Sequence, residues 1–193
     1  CGGAVPIHGG VVLSLERMNR ILEIDENTMT ATVEPGVLLS DFIREVEARG
    51  LFYPPDPGEK TATLGGNAMT NAGGMRAVRY GVTRDYVLGM QVALPSGELL
   101  DLGGKVVKTS SGYSLLSLLV GSEGTLGVVT RLILKLLPMP RANVSVLAPF
   151  DDLDACVRAV PQVLACGAEP TAVEFMEREV IACAETYLGK RFP

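Results

Sequence analysis

One histidine, no tryptophan and four scattered cysteines are all that this 193-residue sequence offers of three chemically versatile residue types. Each scarcity excludes something. A Ser-His-Asp triad apart, any site built on paired imidazoles lacks its second histidine, and His8, between Ile7 and Gly9, reads as a turn residue bonding backbone. Cys1, Cys156, Cys166 and Cys183 form no C-x-x-C pair, which removes zinc ribbons and thioredoxin-like redox centres. Their spacing predicts free, mostly buried thiols in a reducing, cytoplasmic compartment rather than a Cys156–Cys166 disulfide.

Positive charge is also short. Lys and Arg number 17 against 22 Asp and Glu, for a net charge of −5, and the cations are scattered. A nucleic-acid partner needs clustered cations, so none is expected. The longest apolar runs, Leu115–Val120 and Leu126–Leu137, fall short of the ~20 residues of a membrane helix. The chain opens on Cys-Gly-Gly with no charged segment leading into an apolar one, so no secretory signal is expected and the sequence reads as a piece of a longer protein. No G-x-G-x-x-G follows a strand, and Gly104-Lys105 runs into Val106, so neither a Rossmann fingerprint nor a Walker loop is present.

What is present is an ordinary globular balance, 47% apolar and 20% charged, with 22 glycines and 12 prolines. Val11–Leu15 and Thr30–Glu34 read as strands with a turn at Glu26-Asn27, and Leu38–Arg49 has helical apolar spacing ended by Gly50. Val87–Leu94 and Glu98–Leu102 flank Pro95-Ser96-Gly97 as a hairpin, Leu115–Val120 reads as a short helix, and Val128–Leu136 as a strand. Pro138-Met139-Pro140 marks a boundary. Beyond it the pattern predicts strand Asn143–Ala148, a helix capped by Asp151 and kinked at Pro161, a strand near Ala172–Phe175, and a last helix.

Chemistry is concentrated in three glycine clusters: Thr61–Asn67, Thr70–Gly74 and Gly121–Gly127. Glycine lets a ligand approach the main chain, and successive N–H groups in such turns make anion-binding concavities. A few fixed donors, each worth roughly 1.5–3 kcal/mol toward a charged group, hold a pyrophosphate without lysine. Thr and Asn beside the glycines suit ribityl hydroxyls and a flavin edge. Composition leaves the ligand open to any nucleotide or phosphorylated metabolite, and a non-catalytic binding module stays an alternative. Lys108 and Tyr113 read as a solvated lysine and a packed tyrosine, Met69, Met75 and Met90 as core filling, and Glu123 as a turn residue.

The order of the motifs is more specific. Tyr53-Pro54-Pro55-Asp56-Pro57-Gly58, Thr63-Leu64-Gly65-Gly66-Asn67, Asn71-Ala72-Gly73-Gly74, Arg79-Tyr80-Gly81 and Gly121-Ser122-Glu123-Gly124-Thr125-Leu126-Gly127-Val128-Val129-Thr130 together resemble the FAD-linked oxidase family. The likeness runs over nearly the whole chain, and lies toward the branch of the glycolate oxidase FAD-binding subunit and D-lactate dehydrogenase. It implies an α+β, two-subdomain FAD-binding fold of the p-cresol-methylhydroxylase (vanillyl-alcohol-oxidase) type over residues 1–138, divided near Pro95. Residues 139–193 would begin an α+β substrate-binding cap.

The resemblance further implies that Pro55, Asp56 and Pro57 border a non-covalent FAD together with Thr63, Leu64, Gly65, Gly66 and Asn67. Asn71, Ala72, Gly73 and Gly74 would line the same cleft. Glu123, Gly124, Thr125, Gly127, Val128 and Val129 would contact the cofactor through backbone, the two valines toward adenine. Cys1-Gly2-Gly3 matches the tail of a first pyrophosphate loop. The catalytic base, and a divalent metal in some relatives, would belong to the cap beyond this sequence. The implied substrate is a small 2-hydroxy acid, glycolate or D-lactate, with an electron-accepting partner subunit as the route to any membrane periphery. A flavin-dependent alkyl-lipid synthase of the same fold is the alternative within the family.

Overall fold

The computed structural model describes residues 5–192; Cys1-Gly2-Gly3 lies outside them. The centre is a five-stranded antiparallel sheet. Strands β1 (Ile21–Asp25) and β2 (Thr30–Val33) form a hairpin whose turn is held by Asp25, its carboxylate accepting from the N–H groups of Asn27 (3.0 Å) and Thr28 (3.2 Å). Hydrogen bonding from the Thr28 side chain and main chain, with Lys105 beside them, holds the Asp25 carboxyl down at about 2. Helix α1 (Leu39–Glu47) follows, burying Leu39, Phe42 and Val46 at the i, i+3, i+7 spacing of one helical face. Leu38, which the sequence places inside the helix, is its N-cap.

β3 (Leu51–Phe52) then leads through the proline-rich loop to α2 (Leu64–Thr70), α3 (Ala77–Tyr80) and a 3-10 turn at Thr83–Tyr86. Strand β4 (Val87–Ala93) turns at Pro95-Ser96-Gly97 into β5 (Leu99–Gly103), the expected hairpin. Helix α4 (Leu115–Leu119), strand β6 (Val128–Lys135) and β7 (Leu137–Pro138), which pairs with β3, complete the unit. The sheet order is β1-β2-β6-β4-β5. Strands from both sides of Pro95 thus share one sheet, and Pro95 itself sits in the β4–β5 turn.

The apolar face of the sheet carries Ala31, Val33, Val92, Leu132 and Leu134, each at most 1% exposed. It packs on α1 and on Tyr53, whose ring stands edge-on to Phe42 (5.1 Å) and Tyr86 (5.9 Å). Burial pushes both tyrosine hydroxyls up, that of Tyr86 to about 12.

Several expectations fail for one physical reason: a strand needs a neighbour. Val11–Leu15 forms no ladder among the described residues and Val11 is 96% exposed; Ile21–Asp25 is one edge strand of the sheet instead. Asn143–Ala148 and Ala172–Phe175 are likewise unpaired among the described residues. Both expected tail helices form, α5 (Leu153–Ala165) and α6 (Arg178–Leu188), and α5 runs through Pro161. Its cap is Asp152 rather than Asp151, accepting from the Ala155 N–H at 2.7 Å. The thiols of Cys156, Cys166 and Cys183 are free, as expected, but Cys166 and Cys183 are exposed rather than buried. Tyr113 is fully exposed rather than packed, and Met75 is 58% exposed while Met90 fills the core.

Candidate cofactor-binding site

The first and third glycine clusters meet across one cleft. It measures about 160 Å3 and is lined by Gly65, Gly124, Gly127, Val128 and Val129 together with Leu13, Leu15, Pro35 and Met69. Two elements build it. Thr63 caps α2, its Oγ1 accepting from the Gly66 N–H at 3.1 Å, and this starts the helix at Leu64. Gly65 and Met69, four residues apart, then share the helix face that forms the cleft floor. The opposite wall is the Gly121–Gly127 loop leading into β6. It is tied to α2 by main-chain bonds from Gly121 N to Ala68 O (2.9 Å) and from Glu123 N to Met69 O (2.8 Å).

The glycines divide by what surrounds them. A Cβ on Gly65 would lie 2.5 Å from the Pro35 Cβ, one on Gly74 would strike the Asp56 carbonyl, and one on Gly127 would lie 2.5 Å from Val92 Cγ1. These three are required by the protein's own packing. Gly124 is different: at φ +76° it faces open space with nothing within 4 Å. Its N–H has no acceptor among the described residues. An open main-chain donor beside apolar walls fits a dinucleotide laid along the cleft, because phosphate oxygens need donors and the rings need apolar contact.

The second cluster serves this arrangement from behind. Asn71, left-handed at φ 47° and ψ 51°, ends α2, and its Oδ1 accepts from the Arg84 N–H at 2.9 Å. Ala72 O accepts from Thr83 N (3.1 Å) and Thr83 Oγ1 (2.7 Å). A Cβ on Gly73 would lie 3.4 Å from Val82 Cγ1. The proline-rich loop is clasped to it: the Asp56 carboxylate, 10% exposed, pairs with Lys60 and with Arg76 Nη2 at 3.3 Å, and the Arg76 guanidinium lies 5.2 Å from the Phe52 ring centroid. Pro55 is buried and Pro57 partly so beside Gly74.

The neutral side chains that the sequence offers as cofactor donors are therefore largely committed to the fold. Thr63 caps a helix, the Thr70 hydroxyl donates to Gly66 O (2.9 Å), and the Thr125 hydroxyl donates to Ser122 O (2.6 Å). Asn67 is 3% exposed, two residues and so about 200° around α2 from Gly65. Its Nδ2 has no partner among the described residues. Glu123 is exposed at φ 54° and acts in the turn, its carboxylate making no hydrogen bond among the described residues.

Leu13, Leu15, Pro35 and Met69 join the cleft although the sequence reads Met69 as core filling and Leu13 and Leu15 as part of a strand. Met69 has a readable signal, its i+4 spacing from Gly65, and Leu13 and Leu15 have alternation. Arg84 was also missed. Its main chain holds Asn71 and its Nη2 donates to Val120 O (2.8 Å), which joins the second loop to the third. No local pattern around Arg84 announces that role.

Fold and cleft together give an α+β domain whose glycine-rich cleft combines an open main chain with apolar walls and has no Rossmann turn. Comparison with known proteins makes the class specific. Residues 1–103 match the FAD binding domain family and residues 139–193 match the C-terminal domain of FAD linked oxidases. The chain belongs to the FAD-linked oxidase family, and FAD is the cofactor of its nucleotide-binding domain. It is 54% identical to the D-lactate dehydrogenase of Anaerostipes hadrus, over 98% of this chain and 40% of that protein. It is 48% identical to glycolate oxidase subunit GlcD of Bacillus subtilis, over 97% of this chain and 40% of that one. Among solved structures, an alkyldihydroxyacetonephosphate synthase superposes with a TM-score of 0.69 at 26% identity, over 81% of this chain and 28% of that protein. That likeness bears out the p-cresol-methylhydroxylase-type fold. The chain spans about two fifths of the length of these curated relatives.

Proposed function

We propose that this chain is the cofactor-binding part of an FAD-dependent oxidoreductase that converts a small 2-hydroxy acid, glycolate or D-lactate, to the 2-oxo acid. One observation carries the reading: separate glycine motifs converge on a single cleft whose open main chain, at Gly124, faces apolar walls. The names of the relatives at 48% and 54% identity supply the substrate class. FAD, when bound, supplies the hydride acceptor.

The chain's own residues supply placement. Gly124 and its neighbours offer main-chain donors, while Val128, Val129, Leu13 and Leu15 exclude water from the rings. The Asp56–Arg76 clasp and the Asn71–Arg84 bond hold the proline-rich and Asn-Ala-Gly-Gly loops in register beside them. Among the described residues no cluster of three or more His, Cys, Asp or Glu is placed to hold a metal. The base that takes the substrate's hydroxyl proton, and any divalent metal beside it, we assign to a cap that residues 139–193 begin. FAD is held without a covalent bond, electrons leave to a partner subunit, and the protein works in the cytoplasm or, through that partner, at a membrane periphery. No described helix is long and apolar enough to cross a membrane. With the base assigned to that cap, we propose that the 193 residues alone are inactive.

The test is the visible spectrum of the intact protein that carries this chain. A flavin spectrum bleached without oxygen by glycolate or D-lactate supports the proposal, and folded protein with no flavin overturns it. The alkyl-lipid synthase reading, favoured by the solved structure's likeness, is separated by the same experiment. It expects bound flavin that no 2-hydroxy acid reduces.

A further inference from the structure

A further wall of the cleft, beside α2 and the Gly121–Gly127 loop, pairs in no sheet among the described residues. Residues 15–18 lie against Gly36, just past the end of β2, and Leu13 and Leu15 line the cleft. Within the segment the hydrogen bonds are local: Glu16 N to Ser14 Oγ at 3.3 Å and Met18 N to Leu15 O at 2.9 Å. Leu13 is 66% exposed, so burial of its side chain does little to place it. Something else must hold this strap at the distance a ligand needs.

The tripeptide Glu34-Pro35-Gly36 does so at successive points. The Glu34 side chain, 8% exposed, accepts from Arg20 N (2.9 Å), from Arg20 Nε (3.2 Å to each oxygen) and from Arg20 Nη2 (2.7 Å). Its own N–H donates to Arg20 O at 3.0 Å. Gly36 N donates to Met18 O at 2.7 Å, and a Cβ on Gly36 would fall 2.4 Å from Leu15 O. Only glycine admits the strap that closely. Between them Pro35 lines the cleft and accepts from Gly65 N at 2.8 Å. One tripeptide therefore fixes the distance between the strap wall and the floor of the cleft.

We infer that the Arg20–Glu34 ion pair is a positioning device for the cofactor: it anchors the Leu13–Leu15 strap and thereby sets how tightly FAD is held. Neither residue touches the cleft, and the pair acts through the strap. The inference rests on the reading of the cleft as the FAD seat. Charge-assisted bonds to a nearly buried carboxylate are among the stronger hydrogen bonds, and among the described residues they add to the main-chain bonds from Glu34 N to Arg20 O and from Gly36 N to Met18 O that hold the strap.

The test uses the intact protein with Arg20→Met, Glu34→Gln and, as a control, Lys105→Met, which removes a comparable ion pair to Glu23 and Asp25. Arg20 has a side chain 74% exposed, so its replacement leaves the core untouched. Arg20→Met is expected to raise the FAD dissociation constant about tenfold, the scale of one charge-assisted bond. Glu34→Gln, which keeps a neutral acceptor for Arg20 N, loses less. Lys105→Met leaves affinity unchanged, and kcat at saturating FAD stays within about twofold in all three. Parent affinity in Arg20→Met, or equal loss in the Lys105→Met control, overturns the inference.

Amide exchange of residues 13–18 in flavin-free protein separates this outcome from failure of the functional reading. Faster exchange in Arg20→Met shows the clasp whether or not flavin binds. Unchanged exchange removes it.

Discussion

Helices α1 and α5 are built to the same plan and live in different surroundings. Both are amphipathic; α1 puts Leu39, Phe42 and Val46 entirely out of solvent, whereas Leu153, Val157 and Leu164 of α5 stay 47%, 50% and 49% exposed. Periodicity fixes which face a helix would bury, but burial requires a partner element. In residues 21–138 the sheet is that partner. In residues 139–192 the segments expected as strands pair with no strand among the described residues, and their helices cover no sheet there.

The contrast predicts a large asymmetry. Phe42→Ala removes a wholly buried ring packed on Tyr53 and is expected to cost about 3–5 kcal/mol in urea unfolding. Val157→Ala, at half exposure, is expected to cost less than about 0.5 kcal/mol. Equal costs would mean that α5 is buried in solution against a surface outside this chain.

A second comparison sets neighbouring glycines of α2 against each other. Gly65→Ala drives a Cβ into Pro35 and is expected to lower stability by about 1–3 kcal/mol. A Cβ on Gly66, the first atom of Gly66→Val, meets only the Thr63 hydroxyl, at 3.1 Å. It is expected to leave the unfolding midpoint nearly unchanged while weakening FAD binding, read by flavin fluorescence on titration. If Gly66→Val keeps parent affinity, the cofactor lies along the Gly65–Met69 side alone.

These pairs show what the sequence could and could not disclose. Helix α1, the β4–β5 hairpin, α4 and β6 were legible because each is marked by local periodicity and a breaker. The three glycine clusters were legible as ligand-permissive turns, but not which glycines serve packing: Gly65 is explained by Pro35, thirty positions away, and Gly74 by Asp56. Thr63, Thr70 and Asn71 read as cofactor donors from composition, and their hydrogen bonds turn inward because helix ends must satisfy their own main chain first. The Leu13–Leu15 wall was misread as a strand, since alternation signals two faces without saying whether a neighbouring strand exists.

The smallest expected effect returns to the two regions through their caps. Thr63 and Asp152 make the same bond, a side-chain oxygen accepting from the N–H three residues on, at 3.1 and 2.7 Å. Thr63→Ala is expected to cost about 1 kcal/mol of global stability, because α2 unfolds with the sheet to which Gly121 and Glu123 tie it. Asp152→Ala removes the better-formed bond, yet α5 buries no residue, so its loss frays that helix without shifting the main transition. The two variants are distinguished by the urea midpoint for Thr63→Ala and by amide exchange within residues 153–158 for Asp152→Ala. A shared shift of the midpoint would show that the two regions unfold as one cooperative unit, with the Arg79–Glu169 pair (3.3 Å) as the described contact to break next.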